Sequence, residues 1–214
     1  MAQNFLTLST ESRIVMGEVA ERMEQGRVVL VTAHRRENWG QPMHDIASEV
    51  RELAETHDDL HFVWPLHPNP VVRRTIHGAM LGLPADVRDR VMLIEPLNYP
   101  QMLWALRHAW LVMTDSGGIQ EEAAALDVPV LVLRGTTERP ELIEVGGGAL
   151  VGTDPADVLS AFNRLYWDER AYHTMHSVAN PFGDGTTAQR IAQTLERELS
   201  PLHAVAKPAY AHAA

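Results

Sequence analysis

Six short apolar runs, separated by segments of helical periodicity, constrain the fold of this chain more than any other feature. The runs are residues 28–32, 60–64, 91–94, 110–114, 129–133 and 149–151. They do not alternate with polar residues, as a strand with one face in solvent would, so they predict strands that are buried on both faces. Buried strands that alternate with helices predict an α/β domain with a doubly wound parallel sheet.

Helical periodicity and capping residues predict helices before, between and after these strands. The predicted helices cover residues 11–25, 42–56, 68–80, 100–108, 118–126, a short stretch from 140, 155–167, 169–177 and 187–199. Ser9 or Thr10 is predicted to cap the first helix, and Asp154 the helix that starts at residue 155. We divide the chain into a linker and helix at residues 1–27, a folded domain at residues 28–200, and a disordered tail rich in Ala and His at residues 201–214.

The net charge of −10 argues against a nucleic-acid-binding protein, because no basic excess is present to neutralise a phosphate backbone. No apolar run approaches the roughly 20 residues that a membrane helix needs, and the N-terminus lacks the basic start and apolar segment of a signal peptide. The chain has no cysteine, so neither disulfides nor thiolate chemistry is available. His173 and His176 lie at helical spacing, but a pair supplies too few ligands for a metal. We therefore expect a cytoplasmic protein that binds neither nucleic acid, membrane nor metal.

Polar clusters follow four of the predicted strands. They are residues 34–38, 67–69, 115–118 and 134–139. In a doubly wound sheet, ligands bind at the carboxyl ends of the strands. The four clusters therefore predict a ligand site at that edge of the sheet, to which His67 would add a second imidazole.

The turn at residues 115–118, Asp-Ser-Gly-Gly, joins a strand to a helix and has the features of an anion site. The first N–H groups of a helix have no partner within it, and the helix dipole adds partial positive charge there. Two adjacent glycines would let a phosphate approach the backbone closely. Glu122, about one turn into the helix, could accept hydrogen bonds from two ribose hydroxyls, so the segment suggests a nucleotide. The alternative is an ordinary strand–helix connection followed by a surface carboxylate.

The loop at residues 34–38, His-Arg-Arg-Glu-Asn, offers cations and a proton-transfer group at the same edge. His34 is the side chain best suited to move a proton near neutral pH; a solvated basic loop with Arg–Glu pairs is the alternative. Arg139 stands at a predicted helix start, where the helix dipole disfavours a cation. That placement favours a ligand role for Arg139, and pairing with Glu138 or Glu141 is the alternative.

A resemblance to a known family rests on four segments. They are Thr-Ala-His-Arg-Arg-Glu-Asn at 32–38, Thr-Asp-Ser-Gly-Gly-Ile-Gln-Glu-Glu at 114–122, residues 134–140, and Asn-Pro-Phe-Gly-Asp-Gly at 180–185. In content, order and spacing they closely resemble the non-hydrolysing UDP-N-acetylglucosamine 2-epimerases, and the match extends from Val28 to about Leu199. The resemblance implies the C-terminal one of the two Rossmann-like domains that make up a glycosyltransferase-B type fold.

The activity implied by the resemblance is the conversion of UDP-GlcNAc to UDP-ManNAc, by elimination and re-addition of UDP, for cell-envelope polysaccharide synthesis. No cofactor is implied. The resemblance assigns the diphosphate to Ser116, Gly117 and Gly118. It assigns the ribose to Glu122.

The resemblance also implies that His34 contacts the phosphates and assists the leaving group. Arg35 would contact UDP, and Arg139 would support the same charge. Leu97 and Met102 stand around the uridine pocket where some relatives have a glutamine and a phenylalanine. Contacts to uracil are therefore expected to be mostly apolar or through the backbone.

One departure from the family concerns the acidic residues proposed to move the C2 proton, because they belong to the other domain. Residues 1–27 are too short to replace that domain, so we expect half of an enzyme, truncated or separately encoded, that lacks turnover alone. Its partners would be a UDP-sugar and either a separate N-terminal half or further copies of itself. Two alternatives remain: the nucleotide-binding half of a glycosyltransferase, and a non-catalytic UDP-sugar-binding module.

Overall fold

A computed structural model of the chain describes residues 16–205. The chain divides after Pro181 into two compact units. Among the described residues, the first unit contains all of the strands and the helices up to residue 176, and the second contains the helix that ends at Val205.

Six parallel strands form the sheet of the first unit: β1 (Arg27–Thr32), β2 (Leu60–Pro65), β3 (Val91–Ile94), β4 (Leu111–Thr114), β5 (Val130–Val132) and β6 (Gly148–Leu150). Their order across the sheet is β3-β2-β1-β4-β5-β6. The chain builds outward from β1 on one side, returns to the middle, and adds β4, β5 and β6 on the other. The predicted doubly wound parallel sheet is confirmed.

Helices precede the first strand, occupy the connections between the strands and follow the last strand. They are α1 (Glu18–Gln25), α2 (Gln41–Thr56), α3 (Pro70–Ala79), α4 (Ala85–Arg88), α5 (Tyr99–His108), α6 (Gly117–Ala124), α7 (Pro140–Glu144), α8 (Pro155–Trp167), α9 (Glu169–His176) and α10 (Thr187–Val205). As predicted, Asp154 caps α8, since its side chain accepts a hydrogen bond from the backbone N–H of Ala156. Between residues 16 and 205, none of these helices combines the length and apolar character needed to cross a membrane.

The core lies against the middle of the sheet. Residues 28–31 of β1 are fully buried, as expected for a strand with both faces covered. Ile46, Val50 and Leu53, the inward residues predicted for α2, are at most 1% exposed and belong to the same cluster as Val29. Burial of each of these side chains stabilises the fold by roughly 1.5–3 kcal/mol.

The structure differs from the predicted elements at three places. Gly17, at φ 47, precedes α1, so residue 17 is not part of the helix predicted over residues 11–25; residues 11–15 and the predicted caps at residues 9 and 10 lie outside the described part. The short helix α4 was missed, because four residues hold too little periodicity to detect. The last helix continues to Val205, five residues into the predicted tail.

Candidate functional site

Asp115, directly after β4, is the buried centre of the candidate site. It is fully buried, and its Oδ2 accepts hydrogen bonds from the backbone N–H groups of His34 and Arg35, at 2.9 and 2.8 Å. The side-chain amide of Asn38 donates to the same oxygen at 2.9 Å and to the carbonyl of Leu133 at 3.2 Å. A single carboxylate therefore fixes the loop after β1 against the ends of β4 and β5.

Two threonine hydroxyls connect the last residues of β1 and β4. Thr32 and Thr114 are register partners in the sheet, and their buried Oγ1 atoms lie 2.6 Å apart. The backbone N–H of Ser116 donates to Thr114 Oγ1 at 3.0 Å. This pair orients the turn that leads into α6.

The N-terminus of α6 is open to a ligand. Ser116 is the N-cap residue, and its hydroxyl makes no capping hydrogen bond within the described structure. The first N–H groups of α6 have no intrahelical acceptor. A Cβ added at Gly118 would meet no atom within 4 Å, so the space over the turn is free. The predicted phosphate turn therefore has the local geometry of an anion site.

Three charged side chains surround Gly117. A Cβ placed there would lie 3.8 Å from Arg139 Cζ, 3.8 Å from Arg35 Nη2 and 3.7 Å from Glu138 Oε2. The structure thus brings together Arg35, Gly117 and Arg139, which lie far apart in sequence. Two guanidinium groups and the Glu138 carboxylate therefore lie beside the helix N-terminus, so two cationic donors are within reach of an anion bound there.

The ion-pair partner of Arg139 lies on α6, and this pairing was not predicted from the sequence. Arg139 Nε pairs with Glu121 of α6, and Nη1 donates to the backbone carbonyl of Glu138 at 2.9 Å. Neither local alternative, the carboxylate of Glu138 or of Glu141, is this partner. Because the Arg139 side chain is about one-third exposed, it remains accessible to an anion.

A chain of hydrogen bonds fixes the loop after β5 against α6. The amide of buried Gln120 donates to the carbonyl of Ser116 at 3.2 Å and accepts from the hydroxyl of Thr137 at 2.7 Å. The backbone N–H of Arg139 donates to Thr137 Oγ1 at 3.0 Å. These bonds set the position of Arg139 relative to the phosphate turn, and sequence reasoning assigned a role to neither Gln120 nor Thr137.

Arg134 at the end of β5 is a buried cation that sequence reasoning also missed. Only 7% of it is exposed, and it pairs with Glu37 and Glu138, at 2.5 Å each. The hydrogen bond from Arg134 is the main reason that the pKa of Glu138 falls to about 2. Glu138 is therefore held as an anion by Arg134. The one signal for Arg134 in the sequence was its place directly after an apolar run. The burial of Arg134 follows only from the fold.

His34 lies between Asp115 and a second imidazole. Its Nδ1 is 3.6 Å from Asp115 Oδ1, and its ring stacks on that of His67, with centroids 5.4 Å apart and planes 7° apart. Burial lowers the pKa of His34; Asp115 opposes this effect, whereas His67 and Arg35 add to it. At neutral pH the free site therefore favours a neutral His34.

A cavity of about 230 Å³ opens beside His34 and is lined by five of the predicted site residues. Its polar lining comes from His34, His67, Ser116 and Thr32. Leu97 and Met102 contribute apolar surface. Two of the residues assigned to the phosphates thus share one space with the two residues assigned to the uridine pocket, at the carboxyl ends of the strands.

Glu122 lies on α6 beyond the phosphate turn and, among the described residues, is not part of that cavity's lining. It is partly buried, and burial, followed by the charge of Glu121, raises its pKa. Glu122 does lie on α6 as predicted, but it does not line the cavity that His34 and Ser116 line, and its contact with a ribose stays a prediction.

A larger cavity, of about 450 Å³, opens at the opposite, amino-terminal edge of the sheet. Arg27, Trp110 and Tyr166 contribute to its lining, and the Arg27 guanidinium stacks 5.2 Å above Trp110. Ligands of doubly wound sheets bind at the other edge, so the smaller cavity is the better candidate. Throughout residues 16–205, no group of three His, Asp or Glu is placed to hold a metal ion.

Comparison with known sequences finds a match to the family described as UDP-N-acetylglucosamine 2-epimerase, over residues 3–196. The UDP-N-acetylglucosamine 2-epimerase of Escherichia coli O157:H7 is 45% identical over 170 residues, which are 79% of this chain and 44% of that protein. The enzyme of the same name from Yersinia pestis is 43% identical over 170 residues, with the same coverage. The chain spans less than half the length of these curated relatives.

Solved structures show the same partial match as the curated relatives. The S. aureus MnaA–UDP co-structure is 40% identical with a TM-score of 0.80, over 86% of this chain and 49% of that chain. The UDP-GlcNAc 2-epimerase from Neisseria meningitidis, bound to UDP-GlcNAc, is 35% identical with a TM-score of 0.82, over 91% of this chain and 51% of that one. The described fold therefore matches one half of each of these proteins.

Proposed function

The chain belongs to the UDP-N-acetylglucosamine 2-epimerase family, and from this we propose that it is the UDP-binding half of an enzyme that interconverts UDP-GlcNAc and UDP-ManNAc. One observation supports this most: the open N-terminus of α6 has Arg35 and Arg139 beside Gly117, next to the cavity that contains His34. A diphosphate requires free N–H donors, cations and room to approach the backbone. All three occur together here.

In the proposed complex, the diphosphate binds to the backbone N–H groups of Gly117 and Gly118 and to the hydroxyl of Ser116. Arg35 and Arg139 balance its charge. The ribose hydroxyls extend along α6 toward Glu122. Arg139 would exchange its pairing with Glu121 for a charge-assisted hydrogen bond to phosphate.

The uracil would lie against the apolar part of the cavity. Leu97 and Met102 offer surface but no side-chain hydrogen bonds. Selection of uracil would therefore depend on backbone groups.

The proposed reaction breaks the bond between C1 of the sugar and the diphosphate oxygen as the proton on C2 leaves, giving UDP and a 2-acetamidoglucal. UDP then adds back to C1, and a proton returns to the opposite face of C2. In this half, the arginines and protonated His34 stabilise the negative charge that develops on the departing diphosphate. The groups that remove and return the C2 proton would come from the second half of the enzyme.

The proposed partner is therefore a separate N-terminal half whose domain closes over the carboxyl edge of the sheet. Alone, the 214-residue chain should bind UDP without forming UDP-ManNAc. A coupled assay for UDP-ManNAc, with and without a complementary N-terminal half, tests this. Turnover by the isolated chain would refute the requirement for a second half.

UDP binding tests the site itself. Isothermal titration of the chain with UDP should give saturable binding, and a Ser116→Ala, Glu122→Gln double substitution should weaken it at least tenfold, because charge-assisted hydrogen bonds contribute about 1.5–3 kcal/mol each. Ser160→Ala with Glu169→Gln makes the same chemical changes at exposed residues of α8 and α9 and should leave the affinity unchanged. Equal affinity in the two double variants would remove the proposed site.

A further inference from the structure

The backbone of His34 is held on both sides of the residue. Its N–H donates to Asp115 Oδ2 at 2.9 Å. Its carbonyl accepts a hydrogen bond from the indole N–H of Trp39 at 3.1 Å. Because β1 also anchors the preceding residues, only the side-chain torsions of His34 remain adjustable.

The two oxygens of Asp115 have different environments. Oδ2 accepts three hydrogen bonds, from His34, Arg35 and Asn38. Oδ1 is buried and has no hydrogen-bond partner within residues 16–205. Such an acceptor has lost water without replacing it, which is unfavourable.

His34 Nδ1, at 3.6 Å from Oδ1, is the nearby group that can satisfy this oxygen. The distance exceeds a normal hydrogen bond by a few tenths of an ångström, roughly 0.4 Å beyond the usual N–H···O limit. A small rotation of the imidazole closes that gap without moving the fixed backbone. Only a ring that bears its proton on Nδ1 gains from the rotation, since a carboxylate cannot donate.

We infer that Asp115 is a positioning residue that holds His34 with its proton on Nδ1 and leaves Nε2 for the ligand in the cavity. This inference rests on the proposed function, in which His34 acts on the diphosphate. Because Asp115 is fully buried behind the imidazole, it would act through His34 and not by direct contact with the ligand.

His67, the second imidazole of the cavity, is held as the opposite tautomer. The backbone N–H of Asn69 donates to His67 Nδ1 at 3.2 Å, so Nδ1 of neutral His67 has no proton and Nε2 bears it. The two stacked rings therefore have different tautomers for local reasons. His34 presents an acceptor to the cavity until it takes up a second proton.

Binding of a diphosphate would favour the uptake of this second proton by His34. The free site keeps His34 neutral through burial and the nearby His67 and Arg35. A ligand anion at Nε2 and the Asp115 carboxylate at Nδ1 would together favour the imidazolium. One proton from solvent then joins Nε2, where it lies between the imidazole and the departing diphosphate oxygen.

The tautomer can be measured by ¹⁵N NMR of the imidazole nitrogens in the full 214-residue chain, with assignment of the His34 signals by His34→Gln. At a pH where His34 is neutral, the wild type should show a protonated Nδ1. Asp115→Asn can keep its oxygen on the three donors to Oδ2, which turns its NH₂ toward His34 Nδ1. The proton of His34 should then move to Nε2.

Asn38→Ala is the matched control, because it removes a hydrogen bond from the other oxygen of Asp115 and should leave the proton on Nδ1. A wild-type His34 with its proton on Nε2 would overturn the inference, as would an unchanged tautomer in a folded Asp115→Asn chain. If that variant does not fold, the wild-type spectrum alone decides.

Calorimetric titration with UDP in two buffers of different ionisation enthalpy measures the linked proton. Wild type should take up a larger fraction of a proton than Asp115→Asn, and equal uptake would also overturn the inference. Absence of UDP binding in the wild type would refute the proposed function instead, while the NMR result on the free chain would still decide the tautomer.

Discussion

Glu49 on α2 makes the stability of this protein depend on pH. It is 2% exposed, and its Oε2 has no hydrogen-bond partner within the described range. Burial, followed by the charges of Glu52, Asp45 and Asp154, raises the pKa of Glu49 from 4.5 to about 7. The folded state therefore keeps this proton at pH values where the unfolded chain has already lost it.

The sign and size of the effect follow from this difference. Because the folded pKa lies above the unfolded one, stability is fully present below pH 4.5 and is lost as pH rises through 7. At about 1.4 kcal/mol per pH unit, a pKa moved from 4.5 to about 7 lowers the free energy of unfolding by roughly 3 kcal/mol at pH 8. The Glu49→Gln variant has no ionisable group at this position, so it does not lose this stability as the pH rises.

Urea unfolding followed by tryptophan fluorescence measures the difference between Glu49→Gln and wild type. The free energy of unfolding of Glu49→Gln minus that of wild type should increase by roughly 2 kcal/mol from pH 5 to pH 8. Any constant effect of the new amide cancels in the comparison. Glu55→Gln, at an exposed residue of the same helix, should change by less than about 0.5 kcal/mol. A difference for Glu49→Gln that is equal at both pH values would refute the reasoning.

Three further predictions concern the phosphate turn, a helix cap and the buried arginine. Gly117→Ala should raise the free energy of unfolding by about 0.5–1 kcal/mol, since its Cβ has room in the free site, yet weaken UDP binding at least tenfold in calorimetry; unchanged affinity would contradict the proposed diphosphate contact. Asp168 accepts hydrogen bonds from two N–H groups at the start of α9, so Asp168→Ala should cost about 1 kcal/mol in urea unfolding and Asp168→Ser should recover most of it. Arg134→Leu removes the buried cation that Glu37 and Glu138 share and leaves Arg35, at 3.9 Å, as the remaining cation beside Glu138; it should cost about 1–2 kcal/mol at pH 7, because both carboxylates are half exposed. That penalty should shrink as pH falls from 4.5 toward 2, where Glu138 gains its proton; a penalty that does not change over this range would contradict the pairing.

Much of the candidate site was predictable because it lies at strand ends that the sequence marks clearly. Ser116, Gly117 and Gly118 follow an apolar run and open a helix, and local rules suffice to identify such a turn. Arg35 and Arg139 do surround Gly117, and His34 shares a cavity with Ser116, Leu97 and Met102. The roles assigned to these residues in UDP binding remain predictions.

The contacts that set the geometry of the site were not predictable. Asp115 stood in a quoted motif, but its bonds to His34 and Arg35 span 81 and 80 residues. Arg139 pairs with Glu121 rather than with a neighbour in sequence. Such partners depend on which strands are adjacent and on which side chains lose water, and neither is encoded in a short window.

The sequence by itself determined the strands, most helix boundaries and the parallel doubly wound class, because each follows from periodicity and capping within about a dozen residues. Tertiary structure alone decided that β4 lies beside β1 with Thr114 opposite Thr32. That register places a buried carboxylate behind His34 and an open helix N-terminus next to it. The physical reason is that local conformational preferences specify the helices and strands. The burial and pairing of polar groups depend instead on how elements that are distant in sequence pack against one another.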